Sequence, residues 1–361
     1  MRASRCLIAA ALLATATAIA PAVSAAPVPA DLGERLASGY VSPAMQRWAS
    51  TTTALHTALT RYCPAPLPAE ANAVKAAFGA AVQAWSGIAF LRFGPLVAEN
   101  RYERIAFWPD PRNIVPRQLG AMVRAADPAD LAPNGLYGRS VAVQGLPALE
   151  WLLYGDGEVL AAPSGATFGA ACALSAAVAA NLARIATDLS GAWGPEADFG
   201  KQFRTPGPQN NLYRSPQEVA AEGLKALSTG LQFARDVHLA PVLGKDVSEV
   251  RPKRAAYWRS DLTTAALAAN LAAMREFLAA ADFRYGAGEA WIGEQTQSEI
   301  ARAAGSAGAV GHPFETAAAS ENGYRLLTLT ALTLNNAKQL VDQDLAAYFG
   351  VTIGFNALDG D

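Results

Sequence analysis

"PAMQRWASTTTALHTALTRY", residues 43–62, decides the fold. Met45, Trp48, Thr52, Leu55, Leu59 and Tyr62 recur at intervals of three and four. That spacing gathers them on one stripe of an α-helix, a stripe that must bury against a neighbour. "CPAPLP" at 63–68 breaks the helix, and a second is expected over about 69–92. The same reading places a short helix after Pro116 and a long Ala-rich one over about 166–192. Further helices are expected near 215–240, 254–281, 289–304 and 313–349, the first opened by Ser215 and Pro216. Nothing beyond residue 25 reads as a strand. The expected class is all-α, two helical bundle-like halves packed together. The Gly-, Pro- and Asn-rich stretch 194–213 is the expected hinge between residues 26–193 and 214–361.

The first residues fit an export signal. Arg2 and Arg5 are followed by an apolar run from Cys6 to Ala20, and Val23-Ser24-Ala25 fits a small-x-small cleavage site. Residues 1–25 are therefore expected to be removed, which makes the mature chain envelope-located or periplasmic. A retained signal anchor is the alternative. No later stretch is expected to span a membrane. The formal charge of −2 and the absence of a basic block argue against nucleic acid as a partner. Cys63 and Cys172 remain after cleavage. In an oxidising compartment two cysteines suggest one disulfide, with two buried thiols as the alternative.

Chemistry-bearing residues are few. His56, His238 and His312 are the three histidines. His312 and Glu315 form an H-x-x-E, but Pro313 follows the histidine directly and disfavours helical geometry there. This reads as the start of a helix, with Glu315 near its N-terminus. His238 is expected to end a helix, where a protonated imidazole suits the dipole. His56 reads as a core or surface residue. No phosphate loop and no nucleophile elbow is present. Glu150 is a lone carboxylate in "VAVQGLPALEWLLYG", residues 141–155. With Pro147 opening a helix, Glu150 reads either as a first-turn charge favoured by the dipole or as part of a site.

Four segments resemble the imelysin-like family: "RIAFWPD" at 104–110, "VQGLPALEWLLYG" at 143–155, "YWRSDLTTAALAANL" at 257–271 and "GVTIGFNALDGD" at 350–361. The resemblance covers nearly all of the mature chain. It implies an all-helical exported protein of two halves. The family includes insulin-cleaving imelysin, and relatives belong to bacterial periplasmic iron-uptake systems. Its G-x-H-x-x-E motif falls on Gly145, Pro147 and Glu150, with proline in the histidine position. Proline offers no side-chain donor or acceptor, so Glu150 is the one metal ligand the motif retains. Zinc sites need three or four ligands, which puts peptidase activity in doubt.

The resemblance therefore implies a non-enzymatic binding or accessory component of iron or metal acquisition, acting with envelope proteins. The cofactor is unknown; a weakly bound iron is what the resemblance allows. The rival reading is a metallopeptidase using Glu150. Candidate site residues are Glu150, Gly145 and Pro147, with Arg104, Trp108 and Asp110 from the first half and Trp258, Arg259 and Ser260 from the second. Asp359 and Asp361 are further carboxylates near the C-terminus. Arginine beside tryptophan can hold a carboxylate or an aromatic ligand. The alternative is that Arg104 and Asp110 tie loops and Trp108 fills the junction between bundles. The site is expected in a cleft between the halves, with Arg259 the expected partner of Glu150.

Overall fold

A computed structural model describes residues 25–354. The expected leader, apart from Ala25, and Asp359 and Asp361 lie outside the described residues. Among the described residues the regular structure is helical, with no strand.

Helix α1 (Leu32–Leu36) runs through a π-turn at Ala37–Val41 into α2 (Ser42–Tyr62). Met45, Trp48, Thr52, Leu55, Leu59 and Tyr62 are all buried, so the stripe read from the sequence is the packed face of α2. That face meets α3 (Pro68–Ile88) and α8 (Phe168–Ala192). Between them come α4 (Arg101–Ile105), α5 (Ile114–Ala125), α6 (Pro128–Leu131) and α7 (Leu146–Tyr154). Cys63, at the end of α2, bonds to Cys172 in α8 with 5.6 Å between Cα atoms. Helix α8 is apolar and long enough to cross a bilayer, contrary to expectation, but half of its most apolar stretch is buried within the fold.

The remaining helices are α9 (Asp198–Arg204), α10 (Pro216–Phe233), α11 (Thr263–Ala281), α12 (Ala290–Gly308), α13 (Phe314–Ala318), α14 (Glu321–Gln339) and α15 (Ala346–Tyr348). Helix α9 lies within the glycine-rich stretch and buries Phe203 against Trp193 at 5.1 Å between rings. Helix α12 packs on α11 and α14, and α11 packs on α3. Asn270 of α11 donates to the Ser86 carbonyl of α3 at 2.8 Å across that contact.

Several expected boundaries are corrected. Helix α5 begins at Ile114, before Pro116, because the Asp110 carboxylate accepts from the N–H groups of Ile114 and Val115, both at 2.8 Å. Helix α11 begins at Thr263 rather than near 254, since Tyr257 and Asp261 take left-handed backbone angles of +60° and +59°. The helix expected over 313–349 is interrupted: α13 stops at Ala318, and Ser320 caps α14 by accepting from Gly323 N–H at 3.0 Å. The helix expected to reach 240 changes to a π-turn at Ala234–Leu239.

Candidate functional site

The site is built where α7 meets the loop that leads into α11. Gly145 precedes α7 with no room for a side chain: a Cβ there would lie 2.2 Å from the Ile105 carbonyl oxygen and 2.6 Å from that of Arg104. Glycine thus lets α7 start against the end of α4. Pro147 fills the first turn, where a missing N–H costs nothing. Glu150 falls in the second turn, not the first, and is 3% exposed, so the dipole account of it does not apply.

Its partner comes from the other half of the chain. Ser260 donates to Glu150 Oε1 twice, from its main-chain N–H at 3.0 Å and from its hydroxyl at 2.8 Å. The left-handed residues Tyr257 and Asp261 bracket this loop and aim Ser260 at the carboxylate. Asp261 holds the loop to α13 by accepting from Phe314 N–H at 2.7 Å and pairing with His312 Nδ1 at 2.9 Å. Thr263 closes it by donating to the Ala256 carbonyl at 2.7 Å.

Glu150 lines a cavity of about 80 Å³, shared by residues from both parts of the sequence. At roughly 10–15 Å³ per water on this measure, it has room for about six waters. Its walls are mainly apolar and aromatic. Trp85, Tyr102 and Trp108 come from the earlier segments; Phe233, Tyr257 and Phe314 come from the later ones. Trp85 and Tyr102 lie 5.2 Å apart between ring centres. Polar groups are few: Glu150, His238, Asn270 and the threonines 263 and 264 are the main ones.

Burial sets the charges. It raises the Glu150 pKa above the usual carboxylate range, although the Ser260 hydrogen bonds and the nearby Arg259 charge pull it down. Burial first, and the Glu150 charge second, push Tyr257 well above the ordinary phenol value and Tyr154 up to about 12. Tyr102 is raised by burial too. His238 is pushed down to about 4 by burial and then by Arg92. It is therefore a neutral cavity-wall imidazole at pH 7 and not the protonated helix end expected from the sequence. The Arg92 guanidinium is itself sandwiched, 3.7 Å from the Tyr102 ring centre and 4.1 Å from that of Phe233.

The other expected site residues divide. Trp108 and Pro147 line the cavity with Glu150. Arg104 is a loop tie: it donates to the carbonyls of Glu99 and Tyr137, both at 2.9 Å, and to Gln144 Oε1 at 3.0 Å. Asp110 caps α5. Arg259 stacks its guanidinium over Trp258 at 4.6 Å and acts on Glu150 by charge through space and by a main-chain N–H hydrogen bond, while Ser260 makes the side-chain contact. Among the described residues no lysine, arginine or histidine side chain forms an ion pair with the Glu150 carboxylate, and the Arg259 main-chain N–H adds a neutral hydrogen bond. Sequence reasoning missed Tyr102, Tyr257, His238 and Asn270. "GLQFARDVHLAP", residues 230–241, carries no signal that a π-turn would swing His238 to the cavity wall.

The donor set does not fit a zinc centre. Glu150 and His238 are the ligand-type side chains on the cavity, and among the described residues no three of His, Cys, Asp and Glu gather closely enough to hold an ion. Pro147, beside Glu150 on the wall, cannot ligate.

The imelysin family model, of the peptidase M75 class, matches residues 41–341. An imelysin-like protein from Psychrobacter arcticum has a crystal structure that superposes with a TM-score of 0.73 at 18% identity, over 92% of this chain and all of that one. A protein from Parabacteroides distasonis, described as an iron-regulated protein A precursor, superposes with a TM-score of 0.67 at 13% identity, over 89% of this chain and 98% of that one. At these identities the two structures establish a shared fold. No curated protein matches the sequence.

Proposed function

The chain belongs to the imelysin family, and from that premise we propose that it is an exported component of iron or metal acquisition that binds a ligand in the Glu150 cavity and does not cleave one. The observation that carries the binding reading is a mainly apolar cavity built from both halves of the sequence around one buried carboxylate. Binding sites favour such concave, apolar surroundings with few polar groups. The iron context is supported by the neighbour described as an iron-regulated precursor, and export by Arg2, Arg5 and the apolar run after them. The same reading takes 26–193 and 214–361 as two halves joined through 194–213, and envelope proteins of an uptake system as partners.

The test is made in the native host. The protein should be recovered from the envelope fraction with its N-terminus near Ala26, and its abundance should rise under iron limitation. Loss of the gene should slow growth at low iron and not at high iron. Abundance and growth that ignore iron would overturn the reading.

The family's peptidase label gives the second reading, a metallopeptidase using Glu150. Zinc hydrolysis requires three protein ligands and an open position, which Glu150 and His238 do not supply. Chelator-sensitive proteolysis by the pure protein, abolished in Glu150→Gln, would reverse this choice.

A further inference from the structure

The cavity itself specifies a class of ligand. Glu150 is a carboxylate 3% exposed, on the wall of a largely aromatic cavity, and no cationic nitrogen among the described residues pairs with it. A buried carboxylate of this kind lacks a counter-charge, since hydrogen bonds from Ser260 satisfy acceptor sites but carry no net charge. The Arg259 main-chain N–H donates to it as a neutral group, and the Arg259 guanidinium acts on it by charge without forming an ion pair. Arg92, the other neighbouring cation, acts on Tyr102 and His238, not on Glu150.

From the missing counter-charge, the aromatic walls and the size, we infer that the cavity takes a small organic amine with an aromatic or compact apolar body, its ammonium against Glu150. The inference rests on the reading of this cavity as the binding site and names what binds there. Three features converge. The carboxylate attracts a cation and repels carboxylate or phosphate ligands. The rings of Trp85, Trp108 and Tyr257 on the wall favour an apolar body and tolerate a positive charge, because an aromatic face carries negative quadrupole density; Tyr102 already holds Arg92 on one face. A volume of about 80 Å³ admits a body of about one ring and excludes a peptide. His238 is neutral at pH 7 and so adds no opposing charge.

The experiment uses phenethylamine, 2-phenylethanol and phenylacetate as probes. They share one body and differ in the head group. Binding to the full mature chain is followed by calorimetry and by tryptophan fluorescence, since Trp85 and Trp108 line the cavity. At pH 8 phenethylamine should bind at least tenfold more tightly than the alcohol, and phenylacetate more weakly than either. In Glu150→Gln the preference for the amine should fall below threefold while alcohol binding persists. If Glu150→Gln does not fold, Leu267→Trp, which fills space at the cavity wall, should weaken the amine at least tenfold. Equal binding of amine and alcohol, preference for the acid, no amine binding at millimolar concentration, or an amine preference unchanged in Glu150→Gln would each overturn the inference. An intact iron-dependent growth phenotype alongside such a result would leave the proposed role standing and remove the ligand class alone.

Discussion

The contact between Glu150 and Ser260 makes the most direct claim on measurement. Ser260→Ala removes the hydroxyl that donates to Glu150 Oε1 at 2.8 Å and leaves the main-chain N–H at 3.0 Å. A hydrogen bond to a charged group contributes about 1.5–3 kcal/mol, against about 0.5–1.5 kcal/mol for a neutral pair. The substitution should therefore cost about 1.5–3 kcal/mol at a pH where Glu150 is ionised. In a Glu150→Gln background the same change meets a neutral acceptor and should cost about 0.5–1.5 kcal/mol. The difference, a coupling of about 1 kcal/mol or more, is what a double-mutant cycle isolates. The same hydroxyl proton can turn to the Tyr257 carbonyl at 3.2 Å, the longer contact, so the loss in the glutamine background is partly offset and the measured coupling includes that competition. Urea unfolding of the four proteins at pH 8 supplies the cycle, and repetition at lower pH supplies its sign. Because the Ser260 bonds favour the charged carboxylate, the cost of Ser260→Ala must grow as pH rises. Equal costs in the two backgrounds, or a cost that shrinks with rising pH, would refute the account of the site.

Three further outcomes are expected. The folded-state pKa of Glu150 is raised by burial, so the folded protein holds a proton longer than the unfolded chain, and stability is lost as pH rises from the unfolded value through the folded one. Glu150→Gln, which cannot ionise, should remove that loss and be more stable than the parent at pH 8 with little gain at pH 4, as read from denaturant midpoints. Gly145→Ala drives a methyl group onto the Ile105 and Arg104 carbonyl oxygens and should cost about 1–3 kcal/mol, seen as a lower thermal midpoint. Replacing both Cys63 and Cys172 by serine opens a bridge spanning a separation of 109 residues, for which loop-closure entropy gives up to about 5 kcal/mol; an unchanged unfolding midpoint would contradict it.

The fold was legible where burial is local. The α2 stripe could be read because all its residues are buried on a helix that packs on α3 and α8, and a 3.6-residue period reports which side of a helix is covered. Pairing of Cys63 with Cys172 followed from having two cysteines beyond an expected export signal. The loop before α11 was not legible. "YWRSDLTTAALAANL" has helical composition throughout, yet its first residues give up helix to bring Ser260 to a carboxylate 110 positions earlier in the chain. A bond of that range leaves no periodic trace. His238 was missed for a related reason: one extra residue in a helical turn redirects a side chain without altering the pattern around it. Arg104 and Asp110 looked like site residues because charge beside an aromatic suggests recognition. Their hydrogen bonds instead go to nearby loops and to the N-terminus of α5.

A glutamine at position 150 would accept both Ser260 hydrogen bonds through its amide oxygen and would still tie α7 to the loop before α11. It would do so without placing a group that loses solvation on ionising inside an aromatic cavity. Linkage of α7 to the loop before α11 therefore accounts for a hydrogen-bond acceptor at this position more than for a negative charge. Among the described residues no cationic side chain forms an ion pair with it, and Arg259 acts on it by charge through space, which suits the carboxylate to the cationic ligand inferred above. Pro147 sharpens the point: with no ligating atom beside Glu150 on that turn, the carboxylate is suited to attracting a cationic group and poorly suited to sharing a metal ion.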